Sequence, residues 1–163
     1  MGPPAGGRMY PKWFRPGPNS SDLNVAIFMD VAANVKLVLI DDDSGVLRAL
    51  GLLLSTMHYT VAPFSCPLQA LEYVRTTEQI DAVLTDLRMP VLSGEGVVQE
   101  VKQHRKTLPV IVMSGHASAD EVALLRARGA AGFIPKPFTP DQLIKAVDQV
   151  LHPQKADGMT SVA

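Results

Sequence analysis

Between residues 35 and 151 the sequence alternates five times between a short apolar run and a stretch of apolar residues at helical spacing. Leu37-Val38-Leu39-Ile40 is continuous and apolar, the pattern of a strand buried on both faces. Leu47, Leu50, Leu54 and Met57 then mark one face of a helix. Residues 59–62 predict a second strand, and Leu68, Leu71 and Val74 a second helix. Residues 82–85 predict a third strand closed by Asp86, and Val97, Val98 and Val101 mark a third helix. Residues 110–113 predict a fourth strand, with Val122 and Leu125 on a fourth helix stopped by Gly129. Residues 131–134 predict a fifth strand, and Leu143, Ile144, Val147 and Val150 line a last helix. That helix opens on Thr139, Pro140 and Asp141, which is cap chemistry with proline at the first helical position. Five strand-then-helix units require a parallel sheet with helices on both faces, an α/β class. Ligands of such a sheet gather at the carboxyl ends of its strands, near the switch in strand order.

The rest of the 163 residues is organised differently. Residues 1–20 hold five of the thirteen prolines and four of the twelve glycines, too little apolar content for a core. Residues 1–34 therefore read as a flexible leader, with room for a short helix near 22–33. Residues 35–151 read as the domain, and 152–163 as a disordered tail. A secretory signal in the leader is disfavoured, because Asp30 interrupts its apolar stretch. Formal net charge is −1 and no lysine or arginine stripe stands out, so nothing points to nucleic acid. No stretch reaches the roughly 18 uncharged apolar residues of a membrane helix. The single cysteine, Cys66, excludes an internal disulfide and fits a reducing compartment, which reads as cytoplasmic.

The strand ends collect unusual chemistry. The first ends in Asp41-Asp42-Asp43, the third in Asp86, the fourth in Ser114-Gly115, and the fifth in Pro135-Lys136-Pro137. Two bare carboxylates about 4 Å apart repel by roughly 4 kcal/mol at an effective dielectric of 20, so converging ones need a cation. Hard oxygen ligands with open positions suit Mg2+, which takes phosphate oxygens as further ligands. A third carboxylate beside such an ion suggests phosphoryl transfer onto Asp86. Lys136 and Ser114 would then hold the phosphoryl oxygens.

On these segments the chain resembles the receiver domain of bacterial two-component response regulators. The matching stretches are Leu37 to Asp43-Ser44, Leu84-Thr85-Asp86-Leu87-Arg88-Met89-Pro90 with Gly94, Pro109 to Gly115, Gly129-Ala130, and Phe133-Ile134-Pro135-Lys136-Pro137-Phe138. The resemblance implies a doubly wound (βα)5 flavodoxin-like three-layer sandwich with strand order 2-1-3-4-5. It implies that Asp86 accepts the phosphoryl group and that Asp41, Asp42, Asp86 and the backbone carbonyl of Arg88 hold Mg2+ (or Mn2+). It makes Ser114 the switch hydroxyl, Lys136 its partner at the phosphoryl group, and Phe133 the switch aromatic. A cis bond at Lys136–Pro137 is implied too. Arg88 and His116 fall two residues after the acceptor and the switch hydroxyl, where they would tune phosphoryl lifetime.

The function implied is a phosphorylation-dependent signalling switch. Its phosphoryl group would come from a sensor histidine kinase or phosphotransfer protein. Repacking of the fourth helix, fifth strand and fifth helix would control a downstream protein. Such a domain catalyses only its own phosphorylation and dephosphorylation. No output domain is expected after the fifth helix, so the chain reads as a stand-alone receiver or one cut from a longer protein such as a hybrid kinase.

Each site residue has a plainer reading. Asp41-Asp42-Asp43 suits a helix cap, Asp43 above all, Asp86 a turn before Pro90, Ser114 a strand end, Lys136 a solvated lysine, Phe133 ordinary core, and Met89, Pro90 and Gly94 loop shaping. An aspartyl-phosphate phosphatase would want a second aspartate two positions after its nucleophile, where this chain has Arg88. A phosphate-independent module would lack the acidic pair or the lysine, and both are present. A nucleotide or flavin site would want a glycine-rich first loop, where residues 41–45 are acidic.

Overall fold

The computed structural model describes residues 35–153. The readings of residues 1–34, including the short helix near 22–33, and of the tail beyond Pro153 lie outside the described residues. Five strands, β1 (Lys36–Ile40), β2 (Thr60–Phe64), β3 (Ala82–Asp86), β4 (Val110–Ser114) and β5 (Gly132–Pro135), alternate with five helices. The helices are α1 (Ser44–Thr56), α2 (Pro67–Thr76), α3 (Gly94–His104), α4 (Ala119–Ala127) and α5 (Pro140–Leu151). The strands form one parallel sheet in the order β2-β1-β3-β4-β5, the doubly wound arrangement expected from the sequence.

Strand periodicity builds two cores. Leu37, Leu39, Leu84, Ile111 and Met113 face one side, with Leu54 of α1 and Leu143 and Val147 of α5. Val38, Ile40, Val83, Val110 and Val112 face the other, with α2, α3 and Leu125 of α4. Leu37 through Ile40 have no exposed surface, which is why that run shows no polar alternation. Each such leucine contributes roughly 1.5–3 kcal/mol by leaving water.

Some boundaries moved. β2 begins one residue later than the apolar run suggested and continues through Pro63 to Phe64. Proline is tolerated there because β2 is an edge strand, hydrogen-bonded only to β1. On α2, Leu68 faces solvent at 53% exposure; the buried stripe is Pro67, Ala70, Leu71 and Val74. The i, i+3, i+4 rule allowed either stripe, and packing against the sheet chose the one that includes Ala70.

Helix starts follow local chemistry. Asp43 caps α1, its Oδ1 accepting from the N–H groups of Gly45 (2.7 Å) and Val46 (3.1 Å). Thr139 and Gln142 form a reciprocal capping box on α5, with Pro140 in its first turn. Ser118 and Glu121 do the same on α4. Leu125 is the one buried residue of α4, as Leu54 is of α1, so both helices draw on their capped ends as well as on the core.

Candidate functional site

β1, β3 and β5 deliver three charged side chains to one point at their carboxyl ends. The Lys136 ammonium donates to Asp86 Oδ1 at 2.7 Å and to Asp41 Oδ2 at 3.1 Å. Side-chain exposure is 3% for Asp41, 12% for Asp86 and 27% for Lys136, so the pairs sit where solvent screening is weak. Burial alone would lower the lysine pKa, but its hydrogen bonds to Asp86 and Asp41, and their charges, raise it above the ordinary value. The lysine stays charged and offsets the repulsion between the two carboxylates.

The remaining oxygens are also held. Asp41 Oδ1 accepts from the Asp43 N–H (2.9 Å), and Asp86 Oδ2 from the Arg88 N–H (2.9 Å). Backbone donors fix both carboxylates without using a side chain. Gly94, at the start of α3, is pressed against the same segment. Its N–H donates to the Leu87 carbonyl (2.9 Å), and a Cβ there would lie 2.4 Å from the Asp86 carbonyl oxygen. Gly94 therefore permits a close approach that positions Asp86. The Lys136–Pro137 bond is cis.

The other sequence-chosen residues are less closely gathered. Asp42 is exposed in the β1–α1 loop, beside Asp41 but outside the lysine triad. Ser114, 3% exposed, is tied into its own turn: Oγ donates to the His116 carbonyl (3.1 Å) and accepts from the His116 N–H (3.2 Å). The His116 residue itself is exposed. Phe133 is half-buried and, with Ser114, His116 and Pro135, lines a groove of about 490 Å3. Across the groove stands a residue the sequence reading missed. The Glu121 carboxylate pairs with the Arg88 guanidinium through Oε1 and accepts from the Ser118 N–H through Oε2 at 3.0 Å. The Ser118 N–H, with help from Arg88, holds the Glu121 carboxyl below the usual carboxylate range. The serine-to-glutamate spacing of a capping box was readable in the sequence; the pairing with Arg88 was not.

Among the described residues no three His, Cys, Asp or Glu side chains converge into a metal cage, and no helix is long and apolar enough to cross a membrane.

Residues 37–148 match the response regulator receiver domain family. The chain is 33% identical over 115 residues to the transcriptional regulatory protein GlrR of Escherichia coli (strain K12), covering 71% of this chain and 26% of that protein. The chain thus spans about a quarter of the length of that relative. A response regulator receiver domain protein from Clostridium thermocellum superposes with a TM-score of 0.70 at 30% identity, over 75% of this chain and 98% of that one. The receiver domain of the sensor histidine kinase PA1611 from Pseudomonas aeruginosa PAO1, solved with magnesium coordinated in its active-site cleft, shares the fold. Its TM-score is 0.66 at 21% identity, covering 72% of this chain and 98% of that one.

Proposed function

Because this chain belongs to the response regulator receiver domain family, a family of phosphoacceptor signalling modules, we propose that its phosphoryl acceptor is Asp86 and its donor a phosphohistidine on a sensor kinase or phosphotransfer protein. The observation that carries this reading is the convergence of Asp86 and Asp41 on the Lys136 ammonium. In the transfer, an Asp86 carboxylate oxygen attacks phosphorus while the bond from phosphorus to the donor nitrogen breaks. The electron pair stays on the imidazole. Lys136 is already charged and within reach of Asp86, so it can follow the incoming phosphoryl oxygens without reorganisation.

The donor set fits a hard divalent cation. Asp41, Asp42, Asp86 and the Arg88 carbonyl offer oxygen only, the donor chemistry of an ion that also keeps waters and takes phosphate oxygens. Bound there, Mg2+ (or Mn2+) supplies neutralisation of the phosphoryl oxygens. Asp43 is committed to capping α1 and is not a ligand in this reading.

Ser114 is the switch hydroxyl. Its bonds to His116 must open before Oγ can donate to a phosphoryl oxygen, and that movement vacates groove space beside Phe133. Repacking of the α4-β5-α5 surface then follows as a shift between two arrangements, biased by contacts that only the phosphorylated form makes. A downstream protein reads that surface.

Intact-mass spectrometry after incubation with acetyl phosphate tests the reading, on the natural chain and on Asp86→Ala. A magnesium-dependent gain of one phosphoryl group, lost in the variant, is expected. A gain that persists in Asp86→Ala, or no gain under any condition, overturns it.

A further inference from the structure

The Arg88 guanidinium lies two residues from Asp86, yet it is paired with Glu121 on α4 and forms no ion pair with Asp86 among the described residues. Both oxygens of Glu121 are engaged, one by Arg88 and one by the Ser118 N–H. The same carboxylate therefore caps α4 and restrains the cation beside the acceptor. The pair forms one wall of the groove that holds Ser114 and Phe133. It is exposed, with side-chain exposure of 66% for Arg88 and 40% for Glu121, so it is weak enough to be exchanged.

We propose that Glu121 is a positioning residue that sets the lifetime of the phosphoryl group by competing with it for Arg88. The proposal rests on Asp86 being the acceptor. Phosphorylation places close to two negative charges within the reach of Arg88. Glu121 holds the guanidinium on α4, and whenever Arg88 lets go it covers the phosphoryl group. In hydrolysis a water oxygen attacks phosphorus and the bond from phosphorus to the Asp86 oxygen breaks. Inorganic phosphate leaves, the carboxylate is regenerated, and the water proton passes to solvent. A planar guanidinium bonded to the phosphoryl oxygens obstructs that approach. Glu121 thereby shortens the lifetime. A second consequence follows at α4: when Arg88 turns to the phosphoryl group, the link from the acceptor loop to the helix start is released. The Arg128–Glu95 pair (2.7 Å), between the C-cap of α4 and α3, is unaffected, so the release is confined to the start of α4.

The test is a double-mutant cycle on dephosphorylation. The natural chain, Glu121→Gln, Arg88→Ala and the double variant are phosphorylated with acetyl phosphate and Mg2+. Loss of the acyl phosphate is then followed by intact mass. Glutamine keeps a carbonyl for the Ser118 N–H, so the cap survives, and thermal denaturation checks that it does. Removing an exposed competitor of this strength lengthens the lifetime by about threefold in Glu121→Gln. The same substitution has no effect in the Arg88→Ala background. An unchanged lifetime in Glu121→Gln, or an equal change with and without Arg88, overturns the proposal while leaving Asp86 as the acceptor. Failure of all four proteins to take up phosphate overturns the underlying reading instead.

Discussion

Two groups of charges sit side by side at the carboxyl edge of the sheet, and they are built differently. The inner group, Asp41, Asp86 and Lys136, projects from three strand ends; its carboxylates are almost buried and the lysine serves both. The outer pair, Arg88 and Glu121, projects from a loop and the first turn of a helix into solvent. A buried charge cannot lose its partner cheaply, whereas an exposed pair costs little to open. The inner group is thus suited to fixed chemistry and the outer pair to adjustment. The backbones follow the same division. Gly94 allows a contact at Asp86 that no other residue fits. The outer rim of that loop carries Val91 at φ 71° and 79% exposure, a left-handed conformation that a β-branched residue adopts only under strain.

Substitutions can break or sharpen this contrast. The largest effect belongs to Lys136→Met, which leaves two nearly buried carboxylates without their cation and costs about 3 kcal/mol in metal-free buffer. Urea denaturation should register that loss, and added Mg2+ should restore part of it; a variant as stable as the natural chain in EDTA would refute the inner group's dependence on charge pairing. Gly94→Ala comes next, at about 2 kcal/mol, because its Cβ meets backbone rather than a yielding side chain. Slower phosphorylation should accompany it, since Asp86 is displaced. Val91→Asn acts in the opposite direction, raising stability by about 1 kcal/mol, because asparagine tolerates the left-handed region. An equal or lower denaturation midpoint would show that strain at Val91 is already relieved. Smallest of all is Arg88→Ala, which should leave the midpoint nearly unchanged while altering phosphoryl lifetime. A large loss of stability there would erase the distinction between the two groups.

Most of the architecture was legible in advance for a simple reason. A strand covered on both faces writes a continuous apolar run, and residues 37–40, 82–84 and 110–113 all carry one. Cap residues were equally readable at Asp43 and Thr139, because capping is local. Leu68, Leu71 and Val74 marked the helix correctly, but helical spacing does not say which of two adjacent stripes meets the sheet, and Leu68 faces solvent. Gly94 read as loop shaping, since nothing in a linear sequence reports the approach of one backbone to another.

The amino-acid sequence by itself determined the order of elements, the parallel doubly wound sheet, and the set of residues at the strand ends. Those properties follow from periodicity and short-range chemistry. The tertiary structure alone decided that Lys136 also meets Asp41, across 95 positions, that Asp42 stays outside that group, and that Arg88 turns to Glu121 across 33. Side-chain pairing between elements depends on sheet order and helix placement, which no local pattern encodes.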